Sequence, residues 1–143
     1  MEIQLNRIDY LQVGLTSPST LKIINPGSPD NQMTVLAVVG DHTGSVHCFS
    51  IRNQSSSVTT IFKTLSGPNA KINSVQVIRG SGVSGSGTVS SSKILVSFGS
   101  SVIRGYTCKG KQFFGLELNN LTEPIKHLQV RWPNDVFICG HFI

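Results

Sequence analysis

Gly80-Ser81-Gly82-Val83-Ser84-Gly85 spells the G-x-G-x-x-G pattern of dinucleotide-binding loops, whose glycines let backbone approach a pyrophosphate at a helix N-terminus. The surroundings do not support that chemistry. Serine and threonine run on into an apolar stretch of strand type, and no carboxylate stands between Asp41 and Glu117 to meet a ribose hydroxyl. From Arg79 to Ser92 the chain is almost wholly Gly and Ser, so composition alone explains the match and predicts a mobile loop.

Gly40-Asp41-His42-Thr43-Gly44 resembles a calcium loop in outline, but such loops place carboxylates at alternate positions and Asp41 is the only one. A turn in which Asp41 accepts hydrogen bonds from nearby backbone N–H groups is the expectation. His42, His47, His127 and His141 have no metal-ligand spacing relative to one another or to Cys48, Cys108 and Cys139. No G-x-S-x-G elbow presents a serine nucleophile. The three cysteines are far apart and odd in number, which suggests reduced thiols packed in strands rather than a disulfide framework. No catalytic residue, metal or cofactor is expected.

Arg104-Gly105-Tyr106-Thr107 begins like the RNA-reading strand of some sheets, and Lys109 and Lys111 add positive charge beside it. Thr107 and Cys108 stand where further small and aromatic residues are needed, and Tyr106 is the only aromatic suited to stacking a base. Arg104, Lys109, Lys111 and Trp132 are nonetheless the candidate interaction surface. Trp132 precedes Pro133-Asn134-Asp135 at a turn, where it could cover a sheet edge or anchor an interface, with burial in the fold the favoured expectation. With Lys126, the cations of this set would form the basic face needed by the alternative function, a β module for nucleic acid or acidic membrane; the scaffold reading expects no nucleic-acid partner.

Bulk properties narrow the class. With 38% hydrophobic and 13% charged residues the chain is not a disordered tail. The net charge of +5 reflects seven carboxylates against twelve cations, a mild preference for acidic surfaces. No apolar run approaches the roughly 20 residues of a membrane-spanning helix. Met1 is followed by Glu2-Ile3-Gln4-Leu5-Asn6-Arg7, which is not a secretory signal, so the expected compartment is cytosolic.

The elements that must position these residues are strands, because no helical apolar period persists beyond about three turns. Short runs rich in Val, Ile, Phe and Tyr predict strands at Tyr10–Leu15, Thr20–Ile24, Thr34–Val39, Ser45–Ile51, Val58–Thr64, Ile72–Ile78, Lys93–Phe98, Val102–Thr107, Gln112–Leu118, Ile125–Val130 and Val136–Gly140. An internal repeat organises them. Val35-Leu36-Ala37-Val38-Val39-Gly40, a turn and Ser45-Val46-His47-Cys48-Phe49 return as Ile94-Leu95-Val96-Ser97-Phe98-Gly99, a turn and Val102-Ile103-Arg104-Gly105-Tyr106. A third copy starts at Val136. The glycines Gly40, Gly99 and Gly140 are about 59 and about 41 residues apart, and the second interval is the length of a four-stranded propeller blade. The Gly/Ser insert lengthens the first interval within one hairpin. The fold expected is therefore all-β: the first two to three blades of a β-propeller over residues 1–143, an incomplete ring whose uncovered edges should make the isolated chain aggregate or stay partly unfolded.

Five stretches in order resemble one family: Asn6-Arg7-Ile8-Asp9-Tyr10-Leu11-Gln12-Val13-Gly14, Gly40-Asp41-His42-Thr43-Gly44, Ile61-Phe62-Lys63-Thr64-Leu65-Ser66-Gly67-Pro68, Ile103-Arg104-Gly105-Tyr106 through Gly110-Lys111-Gln112-Phe113, and Asn120-Leu121-Thr122-Glu123-Pro124-Ile125-Lys126. The chain thus resembles the Bardet-Biedl syndrome 7 proteins, subunits of the BBSome. Thr43, where that family often has an acidic residue, and the insert after Arg79 depart from the pattern, both in loops. The resemblance implies an N-terminal seven-bladed propeller followed by a coiled coil, an appendage-like β-sandwich and a helical C-terminal region. It further implies non-enzymatic scaffold work in ciliary membrane-protein trafficking and cilium assembly, at the cilium, ciliary membrane and basal body. The partners implied are other BBSome subunits, especially the subunit-2 protein through the coiled coil, an Arf-like small GTPase and ciliary membrane cargo.

Overall fold

In the computed structural model, which describes residues 12–24, 34–52, 57–64, 71–78, 92–119, 121, 123–131 and 135–139, every regular element is a β-strand. Strands β1 (Thr16–Ile24), β2 (Thr34–Asp41), β3 (Val46–Arg52) and β4 (Ser57–Lys63) form one antiparallel meander. Strands β5 (Ile72–Ile78), β6 (Lys93–Phe98), β7 (Val102–Thr107) and β8 (Gln112–Glu117) form a second. A third sheet begins with β9 (His127–Arg131) and β10 (Asp135–Cys139). Sequence neighbours pair throughout; three or four residues join β2 to β3, β6 to β7 and β7 to β8, whereas nine and fourteen residues separate β1 from β2 and β5 from β6. The segment with the dinucleotide-like pattern lies outside the described residues. The strands it joins, β5 and β6, are antiparallel neighbours with Ile78 opposite Lys93, and the chain after it is strand, not helix.

The first predicted strand, Tyr10–Leu15, is described only from residue 12 onward. Residues 12–15 carry no strand, and β1 starts only at Thr16. Pro18 has no N–H for the ladder, and the pairing with β2 slips between Thr16 and Leu21. Thr20 repairs the gap: its hydroxyl donates to the Ser17 carbonyl at 2.7 Å and accepts the Ser17 N–H at 3.2 Å. Ile125 likewise precedes β9 rather than opening it, although its side chain is fully buried. Cys48 packs in β3 as expected, whereas Cys108 lies in the turn after β7; both are buried free thiols. Burial pushes the Cys48 thiol up to about 12, with the neighbouring Cys108 adding to it.

The sheets stack face to face. Between the first and second lies the main core, with Val38, Val46 and Cys48 against Ile72, Val75, Ile94 and Val96. Each such Val or Ile contributes about 1.5–3 kcal/mol by leaving water. A smaller core of Leu95 and Ile103 meets Ile125 and Leu128 on the approach to the third sheet. The innermost strands are also bonded across the seams: the Ser19 hydroxyl donates to the Asn73 carbonyl at 3.0 Å, the Asn73 amide to the Ile125 carbonyl at 2.8 Å, and the Gln76 amide to the Leu128 carbonyl at 2.7 Å. β1, β5 and β9 are therefore the strands that join sheet to sheet. Gly40 closes β2 because a Cβ there would overlap the Ile72 side chain.

Gly110 has a comparable duty at the β7–β8 turn. Its φ is 84°, and a Cβ would lie 2.7 Å from the Phe62 ring on β4 of the neighbouring sheet. Gly110→Ala is expected to lower stability by about 1–3 kcal/mol through backbone strain and crowding. A thermal midpoint equal to that of the parent protein would mean that the turn is not seated on β4.

Candidate interaction surfaces

Asp41, buried at the end of β2, is the acceptor around which the β2–β3 turn is built. One carboxylate oxygen accepts the Thr43 N–H at 2.9 Å, the Ser45 N–H at 2.9 Å and the Thr43 hydroxyl at 2.7 Å. The other lies 3.0 Å from His47 Nε2. Gly44, with φ 85°, supplies the left-handed residue that lets the chain return. Burial alone would raise the Asp41 pKa, but the hydrogen bonds from the Thr43 hydroxyl, His47 and the Ser45 and Thr43 N–H groups outweigh it and hold the carboxyl below its usual value.

Nearby, the Ser17 hydroxyl sits 3.1 Å from His42 Nε2, and the His42 N–H donates to the Leu15 carbonyl. The serine is thus partnered by one histidine and the aspartate by the other, so the three residue types do not form a proton relay. Among the described residues no group of three or more His, Cys, Asp or Glu is placed to hold a metal. The cluster is structural: it ties the segment before β1 to the β2–β3 turn.

Of the candidate surface residues, Arg104, Lys109 and Lys111 lie among the described residues, and Lys126 with them. Arg104 lies in β7 with its guanidinium 5.3 Å from the centre of the Phe98 ring, on the face of the second sheet that looks toward the first. Lys109 and Lys111 are brought together in the exposed β7–β8 turn. Lys126, before β9, pairs with Glu123 at 3.4 Å. Trp132 lies outside the described residues. Tyr106 is buried against Phe62, with ring centres 6.5 Å apart, so the one aromatic suited to base stacking is consumed by the core. Sequence reading missed Phe113 and Lys93: the ammonium of Lys93 lies 4.9 Å from the centre of the exposed Phe113 ring. A register slip in the β7–β8 pairing creates that contact, and strand periodicity carries no sign of it.

Two four-stranded meanders stacked through their inner strands are propeller blades in form. Comparison with known proteins gives the arrangement a family: residues 21–143 match the model of the BBS7 beta-propeller. The chain belongs to the BBS7 beta-propeller family. It is 38% identical over its full length to the BBSome complex member BBS7 of Mus musculus and 32% identical over 94% of its length to the BBSome complex member bbs-7 of Caenorhabditis elegans. It spans 18% and 17% of those two relatives, respectively. The sheets are accordingly two blades and the inner strands of a third.

The Asp41 cluster predicts acid sensitivity. The folded pKa is depressed, so the stabilisation is present above the usual carboxylate value near 3.8 and is lost as pH falls through the lower folded value. Asp41→Ala, which removes an acceptor from four donors, is expected to cost about 1–3 kcal/mol at neutral pH and to flatten the dependence of stability on pH below about 4. Denaturation curves recorded from neutral to acid pH check both effects.

Proposed function

We propose that this chain is part of a non-enzymatic scaffold subunit of the BBSome, working in ciliary membrane-protein trafficking and cilium assembly. The observation that carries the reading is the match along the whole chain to a protein named as a BBSome complex member, at 38% identity. The site geometry is compatible with it. The carboxylate of Asp41 is committed to its own turn, and the serine–histidine contact serves to hold adjoining backbone. Among the described residues no helix is long and apolar enough to cross a membrane.

In this reading the blades present loops and edges to other BBSome subunits, and a coiled coil elsewhere in the subunit pairs with the subunit-2 protein. Recruitment by an Arf-like small GTPase brings the assembly to ciliary membrane cargo. The protein then works from the cytoplasm at the cilium, ciliary membrane and basal body.

The test is affinity purification of the tagged full-length protein from ciliated cells. Other BBSome subunits are expected to co-purify in stoichiometric amounts, and their absence from an otherwise soluble preparation would undo the assignment while leaving the propeller fold intact.

A further inference from the structure

The β7–β8 corner of the second blade combines three features. The first is charge. From His42 to Leu116 the sequence has no carboxylate, and Lys93, Lys109 and Lys111 meet at this corner: Lys93 pairs across the sheet with Thr107, and Thr107 bonds the Lys111 backbone in both directions, at 2.9 and 3.1 Å. Among the described residues none of these three lysines has a carboxylate partner.

The second feature is an exposed aromatic in a fixed place. In β8, Gly105 faces Phe114 and Tyr106 faces Gln112, so Phe113 is the extra residue of a bulge. Its ring tip rests on Gly105, where a Cβ would lie 2.8 Å away, and Lys93 lies over the ring. Phe113 is 44% exposed. The first blade has the same device, since Cys48 faces Phe62 and Phe49 faces Thr60, leaving Ile61 as the extra residue at 40% exposure. Ile61 stays exposed although the second blade packs on the first and covers Phe62. A neighbouring blade therefore leaves the bulge position open, and Phe113 remains accessible where Phe114, the counterpart of Phe62, would be covered.

The third feature is rigidity. Gly110 seats the turn on Phe62 across the seam, so Lys109 and Lys111 project from a turn braced by two blades.

We propose that this corner, formed by Lys93, Lys109, Lys111 and Phe113, docks an acidic peptide segment that carries an apolar side chain. The apolar residue lies against the exposed edge of Phe113, and its flanking carboxylates take the lysine ammonium groups, which offer point charges on flexible stems. Nucleic acid fits less well. A base needs a free aromatic face to stack on, and the Lys93 ammonium lies over one face of Phe113. Charge complementarity with three lysines that have no carboxylate partner among the described residues fixes the sign of the partner.

The experiment uses the full-length protein and fluorescence anisotropy with a short labelled peptide of Glu, Asp and Leu. Its isosteric Gln/Asn/Leu counterpart, a labelled oligothymidine and phosphatidylserine vesicles are the comparison probes. The acidic peptide is expected to bind, and the Gln/Asn peptide to bind at least about tenfold more weakly. The double variant Lys109→Glu/Lys111→Glu should reduce acidic-peptide affinity by about tenfold or more with an unchanged melting temperature, and Phe113→Ala should reduce it on its own. Arg52→Glu, an exposed cation of the first blade, should leave it unchanged. Equal weakening by Arg52→Glu, no effect of the double variant, or binding of only the oligonucleotide or the vesicles would each overturn the proposal.

Discussion

Everything described in this structure hangs on the close approach of the first two sheets along the line where Ile72 crosses Gly40. β2 and β6 are buried along nearly their whole lengths: β6 lies between the first sheet and the residues leading into the third, while the outer face of β2 packs with Phe49 and Val13. Removing the Cβ at Gly40 brings Ile72 into the seam, and Val75, Ile94 and Val96 follow it into contact with Val38, Val46 and Cys48. The polar bonds between inner strands then fix how far one sheet slides past the next, because a side-chain amide such as that of Asn73 reaches one carbonyl only.

Strands and their order were largely legible in the sequence because alternation and turn chemistry are local. Ile72–Ile78, Lys93–Phe98 and Val102–Thr107 have the expected bounds, and the turn built on Asp41 and Gly44 has the expected hydrogen bonds. The repeat ending in glycine pointed to blades before any contact was known, and Gly40 shows why such a position matters: it is where another sheet must come close.

What local pattern could not reveal were the events set by pairing register. Pro18 and the Thr20 hydroxyl shape the start of β1, which begins at Thr16 rather than at the predicted Thr20 and slips against β2 before Leu21. The slip opposite Gly105 and Tyr106 turns Phe113 outward beneath Lys93, while Arg104 goes to the other face and stacks on Phe98. A basic face assembled by counting cations along the sequence therefore mixed residues that the sheet separates. Tyr106 illustrates the same limit, since one residue's difference in register decides between a stacking platform and a core aromatic.

The scarcity of acidic groups in the second blade has a consequence for control. Between Lys71 and Leu116 the sequence contains neither a carboxylate nor a histidine. Side chains of those two kinds are the ones that ordinarily change charge between about pH 3 and pH 8. Apart from Glu117 at the end of β8, the electrical character of this blade is thus blind to the acidification that a membrane compartment or its surroundings can undergo. Mobile counterions still reach it, since the Debye length is about 8 Å in physiological salt, as does covalent neutralisation of a lysine. A cell seeking to adjust what this surface attracts would have to act by acetylation or ionic strength, not by protons.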